Sequence, residues 1–351
     1  MRNFFKQLAF TTLFALALGQ GLFYYFYLEA PTLAAPSRLT RQFQAQAISG
    51  ELKLVGDWWP PQIGIRTPII HTDYASANIT LSSNEPIADY QLPETWELIG
   101  PQRSGEVYLY LLNIPQVAAG ENYYTVEFSG DSGNAVSKDL YVAGSSSPLQ
   151  TPSWPDTQFT LDGDNLLSLA NKQYQLPQDY APQDLVYLSD LGIVNVNAAR
   201  LREEPAKALQ QMTAAITQTG INYNVTSGYR SFADQVRVYN YWVGYYAGNI
   251  AATDQVSARP GYSEHQLGLA LDFTTSANGN IFYRFETTPL SNWLANHAHE
   301  YGFVLSYPSG KTEITGYSYE PWHYRYVGIE NARQVVDSGL TPTEWLLQKR
   351  S

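Results

Sequence analysis

Cysteine is absent from the 351 residues, methionine occurs twice and histidine five times. Disulfides, a thiolate nucleophile and a Cys-built zinc knuckle are therefore excluded, and any metal must be held by His, Asp or Glu. Charge is scarce as well. Only 15% of residues are charged, with 21 Lys plus Arg against 32 Asp plus Glu, for a formal net charge of -11. The sequence lacks the concentrated basic stripe that a phosphate backbone needs, so nucleic acid is not an expected partner. Aromatics, in contrast, are plentiful: 27 Tyr, 14 Phe and 8 Trp make up 14% of the chain, a composition that argues for globular folding over disorder. At about 100 to 200 residues per domain, the length allows more than one buried core.

One long uncharged run is present. Arg2 and Lys6 precede 21 residues from Leu8 to Leu28, which as a helix would span roughly 31 Å, the thickness of a bilayer core. The run exceeds the apolar region of about 7 to 15 residues usual in a cleaved signal peptide, and only Thr32-Leu33-Ala34 imitates a cleavage site. A signal anchor over residues 1–29 is expected, its short end cytoplasmic because the positive residues flank that side, and the rest exported. Secretion after cleavage is the alternative.

Residues 30–48, rich in Ala, Pro, Thr and Gln, read as a stalk. Over 49–143 the pattern changes to short β-type runs, Glu51–Val55, Ala77–Leu81, Val107–Leu111, Tyr124–Phe128 and Leu140–Val142, separated by turn residues. They predict an all-β domain, an antiparallel Ig-like sandwich. Residues 144–160, opening on Gly144-Ser145-Ser146-Ser147-Pro148, read as a linker. In the second domain, 161–351, helices are expected over 203–219, 233–246 and 290–301, and strands over 222–226, 269–273 and 322–327. Thr341 as N-cap with Pro342 at the first helical position opens a last helix. This domain is α+β.

Two of the five histidines sit in unusual company. His265 lies in Ser263-Glu264-His265-Gln266-Leu267-Gly268-Leu269-Ala270-Leu271-Asp272, and His323 closes Glu320-Pro321-Trp322-His323. His265, Asp272 and His323 can form a three-ligand zinc site whose fourth position is left to water, the pattern of catalytic zinc. Glu320 can then take that water's proton.

Several motifs occur in one order: Ser227-Gly228-Tyr229-Arg230-Ser231-Phe232-Ala233-Asp234-Gln235, Pro260-Gly261-Tyr262-Ser263-Glu264-His265 through Asp272, Tyr301-Gly302-Phe303, Thr315-Gly316-Tyr317, and Glu320 through Gly328. Together they closely resemble the VanY-like D-alanyl-D-alanine carboxypeptidases, members of the LAS group of bacterial zinc peptidases. Asn171-Lys172, Leu176-Pro177 and Asp179-Tyr180-Ala181-Pro182 look like the segment that leads into that domain. The resemblance covers about residues 164–351 and leaves out the anchor and the β domain. It implies a LAS/hedgehog-like zinc peptidase fold with Zn2+ on His265, Asp272 and His323, Glu320 as catalytic base and Arg230 as substrate clamp and oxyanion stabiliser. It also implies Ser263 and Gln235 in the substrate pocket and peptidoglycan stem peptides as partner. D,D-carboxypeptidase action is expected; L,D-carboxypeptidase, D-Ala-D-Ala dipeptidase and endopeptidase action share the same site. The hedgehog relationship adds a rival of another class, a wall-binding module with a vestigial zinc site.

Other signals are set aside. Gly130-Asp131-Ser132-Gly133 imitates a serine-protease motif, with His71 in the same domain, but reads as a turn. Asp162-Gly163-Asp164-Asn165 lacks calcium-loop spacing. His297 and His299 point to different faces of one helix. Tyr239, Tyr241, Trp242, Tyr245 and Tyr246 read as core and cleft wall.

Overall fold

A computed structural model of the chain describes residues 63–65, 69–133, 135–149, 154, 157–275 and 284–350. The expected anchor, the stalk and the Glu51–Val55 run lie outside these residues. Among the described residues no helix is long and apolar enough to cross a membrane.

Among the described residues the first part holds eight strands: β1 (Ile63–Ile65), β2 (Ile69–Tyr74), β3 (Ala77–Ser83), β4 (Ile87–Gln91), β5 (Glu97–Ser104), β6 (Val107–Ile114), β7 (Gly120–Gly130) and β8 (Ala135–Leu149). They form two four-stranded sheets, ordered β1-β3-β6-β5 and β2-β8-β7-β4. Alternate residues point inward from both: Ile79 and Leu81, Tyr110, Leu112 and Ile114, Val126 and Phe128, and Leu140 and Val142 share one core. Fully burying each such aliphatic or Phe side chain is worth about 1.5–3 kcal/mol, so this periodicity fixes which face of each strand turns inward.

Four runs read from the sequence fall within β3, β6, β7 and β8. Two expectations need correction. The sheets are not wholly antiparallel, because β2 runs parallel to β8; these strands lie far apart in the chain, so no tight hairpin dictates their direction. The linker is also shorter than 144–160. Strand β8 continues to Leu149 against Thr72 and Tyr74, and β9 (Gln158–Phe159) pairs with β10 (Tyr174–Gln175). The Gly and Ser residues there read as flexible in sequence, yet Gly144 and Leu149 pair with Thr72 and Tyr74 on either side of an irregular stretch of the ladder.

The two parts meet through hydrogen bonds. Asp179 accepts from the Thr80 amide at 3.1 Å and the Thr80 hydroxyl at 3.0 Å, the Gln178 amide donates to Asn78 Oδ1 at 2.7 Å, and Ser104 donates to Asp162 at 3.0 Å.

In the second part, β11 (Leu185–Tyr187) pairs with β12 (Arg200–Arg202), which leads into α1 (Glu203–Gln218). The central sheet is antiparallel with order β13 (Asn224–Ser227), β14 (Ala270–Thr274), β16 (His323–Tyr326), β15 (Phe303–Leu305). Helix α1, expected over 203–219, buries Ala206, Leu209, Met212 and Ile216 in a core shared with Val225, Leu271 and Phe273. Helices α2 (Phe232–Tyr245), α3 (Ile250–Val256), α4 (Pro289–His297), α5 (Thr312–Thr315), α6 (Ile329–Ser338) and α7 (Pro342–Arg350) complete the layer. Ser231 and Asp234 form a capping box that starts α2. Helix α4 stops at His297 and goes on as a 3-10 turn, Ala298–Tyr301, so the helix expected over 290–301 is shorter. Thr341 accepts from the Glu344 amide at 3.2 Å while the Glu344 carboxylate accepts from the Thr341 amide at 2.8 Å, the cap expected for α7.

Candidate active site

Strands β14 and β16 bring Asp272 and His323 directly opposite each other in register. His265 reaches the same place from a single 3-10 turn, Glu264–Leu267, capped by the Ser263 hydroxyl. That turn ends at Gly268, whose φ of +68° suits glycine and whose imagined Cβ would lie 3.0 Å from Arg202 Cγ. Ligand-type atoms of His265, Asp272 and His323 then lie within 4.8 Å of one another, all three residues buried.

Each imidazole is oriented by its far nitrogen. His265 Nδ1 lies 2.7 Å from the Gly228 carbonyl and donates to it, leaving a lone pair on Nε2. That Nε2 is buried, has no hydrogen-bond partner and sits 3.3 Å from Asp272 Oδ2. Burial, with help from Arg230, pushes His265 down to about 4, so it is neutral near pH 7. His323 Nε2 lies 3.0 Å from Glu264 Oε2, while its Nδ1 faces Asp272 Oδ1 at 3.1 Å and Glu320 Oε2 at 3.8 Å.

The centre calls for positive charge. Burial alone would lower the His323 pKa, yet hydrogen bonds to Asp272 and Glu264 drive it up to about 10. Asp272 is held well below the carboxylate range, since the two histidines outweigh the burial that would raise it. Two nitrogens and a carboxylate that converge in a buried place fit a divalent cation of the zinc type, and the orphaned His265 Nε2 is the atom such an ion would satisfy.

Glu320 lies beside this set. Burial, opposed by His323 and Arg230, pushes its carboxyl up to about 7. The Arg230 amide donates to the His265 carbonyl at 3.1 Å, and its buried Nε has no partner. Gln235 is fixed by Nε2 donating to the Ala258 carbonyl at 2.7 Å, which leaves buried Oε1 unpartnered. All seven residues singled out as site residues from the sequence line one cleft.

The rejected signals stay apart from it. Ser132 donates to Glu85 Oε1 at 2.7 Å in the turn between β7 and β8. Asp162 and Asp164 accept from Ser104 and Tyr180. His297 pairs at 3.1 Å with Glu300 on the surface. The aromatic group divides: Tyr239 is buried and donates to Asp254, Trp242 lines the cleft, and Tyr241 and Tyr245 are 52% and 66% exposed, so these last two are neither core nor closely packed wall.

A family model described as VanY, D-alanyl-D-alanine carboxypeptidase, matches residues 198–329, the stretch that holds all seven site residues. The chain is 39% identical over 186 residues to YodJ of Bacillus subtilis, covering 52% of this chain and 67% of that protein. It is 34% identical over 190 residues to VanXYC of Enterococcus gallinarum, named as a bifunctional D-Ala-D-Ala dipeptidase and carboxypeptidase, covering 53% of this chain and 93% of that one. The chain belongs to the VanY family. Two enterococcal relatives named D-alanyl-D-alanine carboxypeptidases are matched over 65% and 57% of their length. Among solved structures, the LdcB LD-carboxypeptidase aligns at 35% identity and a TM-score of 0.50, over 56% of this chain and 92% of that one.

This VanY-family chain is thus a zinc metallopeptidase with mixed α/β content around its site. Sequence reading missed some of its neighbours. Glu264 and Arg325 sit next to and two residues beyond metal-site histidines; period-2 alternation along β16 was the signal that placed Arg325 on the face of His323. Tyr307, whose ring centroid lies 4.8 Å from that of His323, carried no signal in the sequence, and Tyr317, whose buried hydroxyl has no partner, stood in the Thr315-Gly316-Tyr317 motif without being read as a site residue.

Proposed function

We propose that the chain is a zinc-dependent D,D-carboxypeptidase that trims the terminal D-alanine from peptidoglycan stem peptides. The observation that carries this reading is the convergence of His265, Asp272 and His323 with a buried carboxyl, Glu320, and an arginine, Arg230, in one cleft. His265 and His323 hold Zn2+ together with Asp272. When bound there, zinc supplies Lewis-acid polarisation of a carbonyl and makes water acidic enough to attack near neutral pH.

The protein's own groups do the rest. Glu320 Oε accepts a proton from the attacking water as its oxygen bonds to the scissile carbonyl carbon. The same proton passes to the nitrogen of the departing D-alanine as the C–N bond breaks. Arg230, always charged and planar, offers its unpartnered Nε–H to the oxygen on which negative charge develops. Ser263 presents a hydroxyl that can donate to the peptide's carboxylate terminus, and Gln235 an amide oxygen that can accept from a substrate N–H.

Apart from these charged groups, the cleft wall includes Val238, Val256 and Ala258, small apolar surfaces that suit the methyl groups of D-Ala-D-Ala. L,D-carboxypeptidase action is the second reading, favoured by the likeness to the LdcB LD-carboxypeptidase; dipeptidase or endopeptidase action uses the same site. A wall-binding module without catalysis has no use for Glu320. The β part serves as spacer or wall contact, an Ig-like module behind an anchor in residues 1–29 that leaves the site outside the cell membrane. Incubating the purified protein with defined penta-, tetra- and dipeptides and weighing the products tests the reading. Loss of one D-alanine from the pentapeptide supports it; cleavage of the tetrapeptide alone overturns it for the L,D alternative.

A further inference from the structure

We propose that Glu264 is the positioning residue of the metal centre, fixing the tautomer and ring orientation of His323. This rests on the ligand set proposed above. Glu264 touches neither the cleft nor substrate; it acts through His323.

The geometry is a cross-brace. Glu264 precedes His265, and Arg325 follows His323 by two residues on the same face of β16. Glu264 Oε2 lies 3.0 Å from His323 Nε2 and accepts from the Ser306 hydroxyl at 2.6 Å, while Oε1 accepts from Arg325 Nη1 at 2.9 Å. Arg325 is fully buried and is pinned by Nη2 donating to the Leu166 and Ser168 carbonyls. All the donors facing Glu264 keep it an acceptor, and an acceptor at that place requires a proton on His323 Nε2. The lone pair is thereby sent to Nδ1, beside Asp272. One dipeptide, Glu264-His265, thus supplies one ligand and sets the other.

A bland reading is that Glu264 and Arg325 are only a structural ion pair. Buried pairs are weak stabilisers at best, and well-packed apolar residues often replace them without loss. The two readings part on Glu264→Gln. The amide has one oxygen for two sides. If that oxygen stays on the buried Arg325 cation, the NH2 faces His323 and forces Nε2 to accept, which places the proton on Nδ1 against the metal. Orienting partners of metal histidines are worth about 10- to 100-fold in metal affinity.

The test measures zinc affinity of the whole chain by chelator competition, with melting of the metal-free protein beside it. Zinc binding by Glu264→Gln should weaken about 10- to 100-fold. Adding Arg325→Met frees the amide oxygen to turn to His323, so the double variant should recover part of that affinity although it is less stable. A purely structural pair predicts no recovery. Unchanged affinity in Glu264→Gln, or no recovery in the double variant, overturns the proposal. Nitrogen-15 NMR of the zinc-loaded parent gives a reading without any variant: a proton on His323 Nε2 is expected, and a proton on Nδ1 overturns it. A parent chain that takes up no zinc overturns the ligand set instead.

Discussion

At the scale of single residues, the chemistry was the most legible part of this protein. His265, Asp272, His323 and Glu320 are short-range in sequence as two pairs, and the family resemblance placed Arg230 with them; the fold brings all five to one cleft. Their supports were less legible, because Glu264 meets Ser306 and Arg325 only through contacts 42 and 61 residues apart. Arg230 offers a clean test at this scale. Arg230→Lys keeps the charge but loses the planar fork and the Nε–H that points to no protein partner. Turnover of a stem pentapeptide should fall by about 10² to 10³, the scale of one lost oxyanion donor, while zinc stays bound. Near-native turnover in the steady-state assay would remove Arg230 from the mechanism.

At the scale of elements, apolar alternation and helical stripes named the inner strands and α1 because burial dictates them. Strands β4 and β5 escaped for the opposite reason. Both are sheet edges: β4 leaves Asp89, Tyr90 and Gln91 exposed, and β5 carries Pro101, which edges tolerate. The turn that ends at Gly268 is the element on which the site depends most. Gly268→Ala puts a Cβ into left-handed backbone, a cost of about 1–2 kcal/mol, and against Arg202 Cγ. The expected result is a melting point lower by roughly 2–8 °C together with weaker zinc binding, because the turn sets His265 against Asp272. Calorimetry and zinc titration on one preparation check both, and a variant as stable and as tight as the parent would show that the turn tolerates a side chain.

At the scale of the whole molecule, the change from short β-type runs to helical patterns was legible in the sequence, but the contact between the two parts was not. Asp179 and Gln178 belong to the segment read as leading into the catalytic domain, and nothing in their sequence says that they meet Thr80 and Asn78. Asp179→Asn removes a charged acceptor from two part-buried donors, so stability should fall by about 1–3 kcal/mol. Turnover of a soluble peptide should stay unchanged if the β part is a spacer; a fall in kcat/KM with zinc retained would make it part of the catalytic machine.

The central claim is the division of labour between two carboxylates, Asp272 as ligand and Glu320 as base. Zinc per chain by elemental analysis, beside turnover of a stem pentapeptide, tests it in one comparison. Glu320→Gln is nearly isosteric and leaves three ligands, so it should keep about one zinc per chain while the rate drops by roughly 10² to 10⁴. Asp272→Ala leaves two imidazoles and should lose both zinc and activity. Loss of the metal from Glu320→Gln, or full occupancy in Asp272→Ala, would contradict the account.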